Sequence, residues 1–135
     1  MGEDPIDGRA IDRLIEDVGD ESARRLLRAF TRETQRRMAR ILARAGERNL
    51  TALRDECHTL KGAAGSFGAV AVERQANGIV AACQAGDSAD ALARVDGLRG
   101  LVDAALGALD KRLSSATGRP LSGARRSVSD KSSRG

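Results

Sequence analysis

The residues with the clearest chemical potential stand together in one run, His58-Thr-Leu-Lys61-Gly62-Ala-Ala-Gly65-Ser66-Phe67-Gly68-Ala69, and His58 is the only histidine of the chain. A free imidazole titrates at about pH 6.5, so much of it is neutral and nucleophilic near neutrality. An N-phosphoryl imidazole is reactive enough to pass its group onward. Phosphoryl transfer asks for in-line geometry and charge stabilisation more than for elaborate side-chain chemistry. Lys61, one helical turn from His58, can neutralise phosphate oxygens.

On a helix turning about 100° per residue, Lys61 lies about −60° from His58, Gly62 about +40° and Gly65 about −20°. The apolar seam of the same segment centres about 130° away, so the imidazole is expected to point outward. A helix built for stability alone would not place glycines there, since Gly costs roughly 1 kcal/mol relative to Ala in a helix interior. Ala at either position would cost nothing in packing against the core. The simplest compensation is access: another molecule must approach the imidazole closely.

The elements that position this face read as helices. Ala, Leu, Arg, Asp and Glu dominate, Trp and Tyr are absent, and Phe30 and Phe67 are the only aromatic residues apart from the histidine. That composition favours helices over sheets. Asp7 to Val18 carries Ile11, Leu14, Ile15 and Val18 and ends at Gly19. A second helix begins with Asp20 or Ser22 as N-cap and places Leu26, Leu27, Phe30, Met38, Ile41, Leu42 and Ala45 inward, up to Gly46. Its other faces carry Arg24, Arg25, Arg28, Arg32, Arg36, Arg37 and Arg40, relieved by Glu33, and read as a solvated surface that could also meet an acidic partner.

A third helix, from about Asn49 to Phe67, bears Leu50, Leu53, Cys57, Leu60, Ala64 and Phe67 at steps of three and four, a seam for bundle packing. A fourth spans about Ala69 to Ala85, with Val72, Ala76, Ile79, Val80 and Cys83 inward, and Gly86-Asp87 marks a stop and restart. The last, about Ser88 to Leu113, uses Leu92, Val95, Leu98, Val102, Ala105, Leu109 and Leu113. Short connections between long amphipathic helices imply antiparallel neighbours. The expected fold is all-α, an antiparallel up-and-down four-helix bundle over residues 1–113 with a short N-terminal helix. Residues 114–135 are expected to form a basic, Ser/Gly/Arg-rich disordered tail.

The sequence pI of about 9.8 invites a nucleic-acid reading. However, the tail holds five of the 23 basic residues and one of the 19 acidic ones, which leaves 18 of each in residues 1–113. The basic character belongs to the tail, and the bundle lacks an aromatic stacking surface, so no specific nucleic-acid binding is expected. No apolar run approaches the roughly 20 residues of a membrane span, and the N-terminus lacks a signal-peptide pattern. A cytoplasmic protein with reduced thiols is the default expectation.

The run from His58 to Ala69 resembles the signature of histidine-containing phosphotransfer (HPt) domains of bacterial multistep phosphorelays, with His, Lys, Gly, the small residues and the later Gly at the family's spacing. The resemblance extends from about Ile6 to Leu113. Leu26-Leu27-Arg-Ala-Phe30 and Leu53-Arg-Asp-Glu-Cys57 resemble the helices leading to the motif, and Ala85-Gly86-Asp87 the break before the final helix. It implies that His58 accepts a phosphoryl group from a receiver-domain aspartate and passes it to a second receiver. Lys61 would hold the phosphoryl group, Gly62 would leave room for the receiver, and Gly65 and Ser66 would line the docking surface. The implied partners are receiver domains of response regulators and hybrid histidine kinases. Mg²⁺ is expected in the receiver, and no cofactor or metal in this chain. The protein is expected to be a monomeric, free-standing carrier, not an enzyme on its own, because Met1 lies close to the first helix and nothing else folded follows. One departure stands out: family members often carry a polar residue on the next helix that bonds the imidazole, and the ungapped count lands on Val80. Gln75 or Asn77 could substitute, or nothing does.

Three other readings compete. A histidine-kinase dimerisation helix normally has an acidic residue after its histidine, where this chain has Thr59, and no length remains for an ATP-binding domain, so no autokinase activity is expected. A metal site from Cys57, His58 and Cys83 is disfavoured, because neighbours on a helix point about 100° apart. A bundle that binds receivers without chemistry would keep signalling with His58→Gln.

Overall fold

The computed structural model describes residues 5–117, and among them it is built of five helices without a strand: α1 (Gly8–Val18), α2 (Asp20–Gly46), α3 (Leu50–Ser66), α4 (Val70–Gln84) and α5 (Ser88–Thr117). The boundaries follow local chemistry. Asp7 caps α1, its carboxylate accepting from Arg9 N at 3.0 Å. Asn49 caps α3 by accepting from Ala52 N at 3.1 Å. Asp87 does the same for α5 through Asp90 N at 3.0 Å. Each side chain satisfies one of the amides that the first helical turn leaves without a partner.

The helix stops are equally local. Gly68 and Gly86 follow α3 and α4 with φ of 75° and 73°. Behind them Ala69 N reaches back to Ala64 O at 2.8 Å, and Asp87 N to Ala82 O at 2.9 Å. At the end of α2 the same left-handed position is taken by Arg48, φ 56°, with Asn49 N on Arg44 O at 3.1 Å. Gly68 is required twice over. A Cβ there would lie 3.0 Å from Ala10 Cβ and from Asp7 O, where the N-terminal segment crosses the α3–α4 turn and Asp7 N donates to Gly68 O at 2.6 Å.

The four long helices form a closed ring in which α3 packs on α2 and α4, α5 packs on α4, and α2 completes the circuit against α5. α1 lies on α2 and α5. The core is aliphatic: Ile11, Leu27, Ile41, Leu53, Leu60, Ile79, Leu98, Leu109 and Leu113 are fully enclosed. Phe30 of α2 stacks on Phe67, just past the end of α3, their ring centroids 4.4 Å apart.

The expected all-α bundle is the fold observed, with four adjustments. Gly19 occupies the N-cap of α2 and makes no side-chain cap bond, so neither Asp20 nor Ser22 serves there. Leu26, expected inward, is 44% exposed, whereas Ala23 and Thr34 are buried in its place. The arginine surface of α2 is not uniformly solvated: Arg24 is only 7% exposed, and the Arg37 side chain 16%. Finally, α5 runs to Thr117, four residues past the expected end. The rest of the expected tail, 118–135, lies outside the described residues.

Candidate functional site

α3 carries the site because one of its faces is committed to the core. Leu53, Cys57, Leu60 and Ala64 are buried, which fixes the rotation of the helix and turns His58 to solvent. Among the described residues the imidazole makes no hydrogen bond or ion pair. Gln75, one sequence candidate for orienting it, instead donates to Arg94 O on α5 at 2.8 Å. Val80, where the ungapped count places a candidate partner, is buried. Asn77, the other candidate, accepts a hydrogen bond from Lys61 Nζ at 3.3 Å. The ring therefore has no orienting partner on α4, and Asn77 of that helix serves the lysine instead.

The neighbours of His58 divide by what surrounds them. Gly62 is exposed, and a Cβ added there would meet nothing within 4 Å. Nothing inside the described residues requires a glycine at that point. Gly65 differs: a Cβ would come within 3.1 Å of Glu73 Oε2 and 3.4 Å of Oε1, so the carboxylate of an α4 residue lies over it. Ser66 is exposed, its hydroxyl donating back to Gly62 O at 3.2 Å. Thr59 bonds its own helix likewise, Oγ1 to Asp55 O at 3.2 Å. The outer surface of α3 beyond His58 is thus smooth and short-chained.

Lys61 is half-buried and borders an open cleft of about 420 Å³ between α3 and α4, shared with Val70, Glu73, Arg74 and Asn77. A second cleft, about 340 Å³, lies where α1 meets the end of α3, with Leu14, Asp17, Ser66 and Phe67 in its walls. The site is a cation and a bare helix surface beside an accessible ring, with shallow relief on both sides.

The other nucleophile on α3 is disarmed. Burial pushes the Cys57 thiol up to about 12, with smaller contributions from Cys83 and Glu56, so it stays protonated at neutral pH. Cys57 and His58 face opposite environments, core and solvent. Among the described residues no three of His, Cys, Asp and Glu gather as a metal site.

A feature that sequence reading missed holds α3 in place. Glu56 lies between two arginines of α2, taking Arg37 Nη1 at 2.7 Å and Arg40 Nε at 3.1 Å. Glu33 accepts from Arg36, Arg37 and Arg40 at 3.0, 2.9 and 3.3 Å. Hydrogen bonds from Arg36 and then Arg40 hold the Glu33 carboxyl below its ordinary value. The signal was available in part: arginines at 37 and 40 share one side of α2, but which acid they meet depends on helix pairing.

No helix among the described residues is long and apolar enough to cross a membrane. No curated protein and no solved structure matches the chain. Residues 25–110, a span that includes α3 and α4 entire, match the family model of the Hpt domain. That match covers more than half of the sequence and contains the exposed histidine, so the chain belongs to the Hpt domain family, helical bundles with a histidine phosphotransfer role in phosphorelays that interact with receiver domains.

Proposed function

We propose that His58 is the phosphorylated residue of this carrier, taking its phosphoryl group from the aspartyl phosphate of one receiver domain and handing it to an aspartate of another. The observation that carries this reading is the pairing of a solvent-facing, unbonded His58 with a glycine, Gly62, beside which nothing stands. The unprotonated ring nitrogen attacks phosphorus in line. A nitrogen–phosphorus bond forms as the phosphorus–oxygen bond breaks, and the electron pair of that bond leaves with the receiver's carboxylate. The return step runs the same exchange in reverse on the second receiver.

Lys61, one turn away, offsets charge on the phosphoryl oxygens. Gly62 and Ser66 form the smooth surface on which the receiver sits, and Gly65, under the Glu73 carboxylate, borders it. The receiver is expected to bring its acidic residues and a bound Mg²⁺. This chain is a carrier whose exchange with other proteins takes place only in complex with receivers, without autokinase activity of its own.

The test is transfer of radiolabelled phosphate from a phosphorylated receiver to the wild type and to His58→Gln. Acid-labile, alkali-stable label on the wild type alone is expected, with unchanged helicity by circular dichroism in the variant. Absence of label across a broad panel of receivers would sink the proposal.

A further inference from the structure

We propose that Asn77 is a positioning residue for phosphoryl transfer, acting through Lys61: its side-chain carbonyl holds the ammonium of Lys61, one helical turn from His58, without neutralising it. The proposal rests on the phosphocarrier reading of His58 and goes beyond it.

The geometry comes from the turn between α3 and α4. The two helices run antiparallel from a reversal centred on Ala69, so residues equally far from Ala69 face each other. Gly65 and Glu73 form the nearest such pair and meet as a carboxylate over a bare backbone. Lys61 and Asn77 form the second and meet through the 3.3 Å hydrogen bond. His58 and Val80 are the third, but Val80 is 7% exposed and belongs to the core. Asn77 is therefore the residue of α4 that meets Lys61, in a cleft it shares with Glu73 and Arg74.

The chemistry of the acceptor matters. Lysine is a flexible four-carbon stem ending in a compact charge, and its value to a phosphoryl group depends on where that charge is held. An amide oxygen can hold the ammonium in one place and leave its full charge directed at an anion. A carboxylate at the same point would pair with it and cancel part of that charge. Asn77 is itself exposed, so its contact with Lys61 contributes little to the bundle and its removal leaves the core untouched.

Potassium phosphoramidate, a small anionic donor, tests this without a partner protein: the imidazole nitrogen attacks phosphorus, the donor's phosphorus–nitrogen bond breaks and ammonia leaves. The rate of phosphohistidine formation would be followed by phosphorus NMR in the wild type, Asn77→Ala, Lys61→Ala and the double variant, with His58→Gln as blank. Asn77→Ala is expected to slow the reaction ~3–10-fold when Lys61 is present and by less than ~1.5-fold when it is absent, the non-additivity of residues acting as a unit. Asn77→Asp should slow it further than Asn77→Ala, and Asn77→Gln should restore most of the rate. Equal slowing in both backgrounds, or none in the Lys61 protein, would overturn the assignment. The same proteins given a phosphorylated receiver separate the two claims. A non-additive cycle with no transfer from any receiver refutes the relay reading alone. Normal receiver transfer with an additive cycle refutes the role of Asn77 alone, and a wild type left unlabelled by phosphoramidate and by every receiver would overturn both.

Discussion

Under the proposed docking role, Gly62 sets stability and access against each other at a single residue. It sits in the interior of α3, where a methyl group would meet nothing. Replacing it with Ala is expected to raise stability by about 0.5–1 kcal/mol, the ordinary helix preference of Ala over Gly, read as a higher melting temperature. Gly62→Gln should retain that helix gain while blocking transfer from a receiver, yet leave phosphorylation by phosphoramidate near the wild-type rate. If Gly62→Gln accepts phosphate from a receiver as fast as wild type, bare surface is not what the receiver needs. Gly65 does not lend itself to the same experiment, because a side chain there must first displace Glu73.

The helix stops make the clearest predictions for elements. Gly68→Ala should cost about 2 kcal/mol or more, since a left-handed conformation costs an L-residue roughly 1–2 kcal/mol and the new methyl presses on Ala10 and Asp7. Arg48→Gly should go the other way, by about 0.5–1 kcal/mol, because Arg48 already occupies such a position at φ 56°. Urea denaturation of the two variants measures both signs. The α2–α3 ion-pair network adds a pH dependence. The folded pKa of Glu33 is depressed below the ordinary 4.5, so its contribution is present above pH 4.5 and is lost as pH falls through the lower folded value. Glu33→Gln should flatten the stability curve in that acid window; an unchanged slope would mean that the network does not couple to folding.

Much of the architecture was legible in the sequence, because helix length and rotation are local matters. The apolar periodicity of Leu53, Cys57, Leu60 and Ala64 fixes which way His58 points, and Asp7, Asn49, Gly68 and Gly86 punctuate the chain where the helices begin and end. What sequence could not supply was tertiary. Leu26 reads as core by spacing but is 44% exposed, and Arg24 reads as surface but is enclosed. Glu56 looked like one acid among many until α2 brought Arg37 and Arg40 to it. Asn77 was a candidate partner for the imidazole, and only the register of α4 assigns its oxygen to Lys61.

Over the whole molecule the proposed reactive face belongs to two adjacent helices, and the rest of the ring supports them from behind. α2 braces α3 through Glu56, α5 meets α4 through the Gln75 amide on Arg94 O, and α1 is tied to α5 by Arg112 on Asp12 at 2.6 Å. The tight reversal at Ala69 has a kinetic consequence. Closing a short loop costs the least chain entropy, and contacts between near neighbours in sequence form soonest. The turns between α2 and α3, α3 and α4, and α4 and α5 are equally short, so these local hairpins are expected to form before the Asp12–Arg112 contact, 100 residues apart in the chain, closes. His58, Lys61 and Asn77 all lie on one such hairpin, so the proposed site needs only contacts between near neighbours in the chain, and the ends of the chain are expected to be sealed around it afterwards.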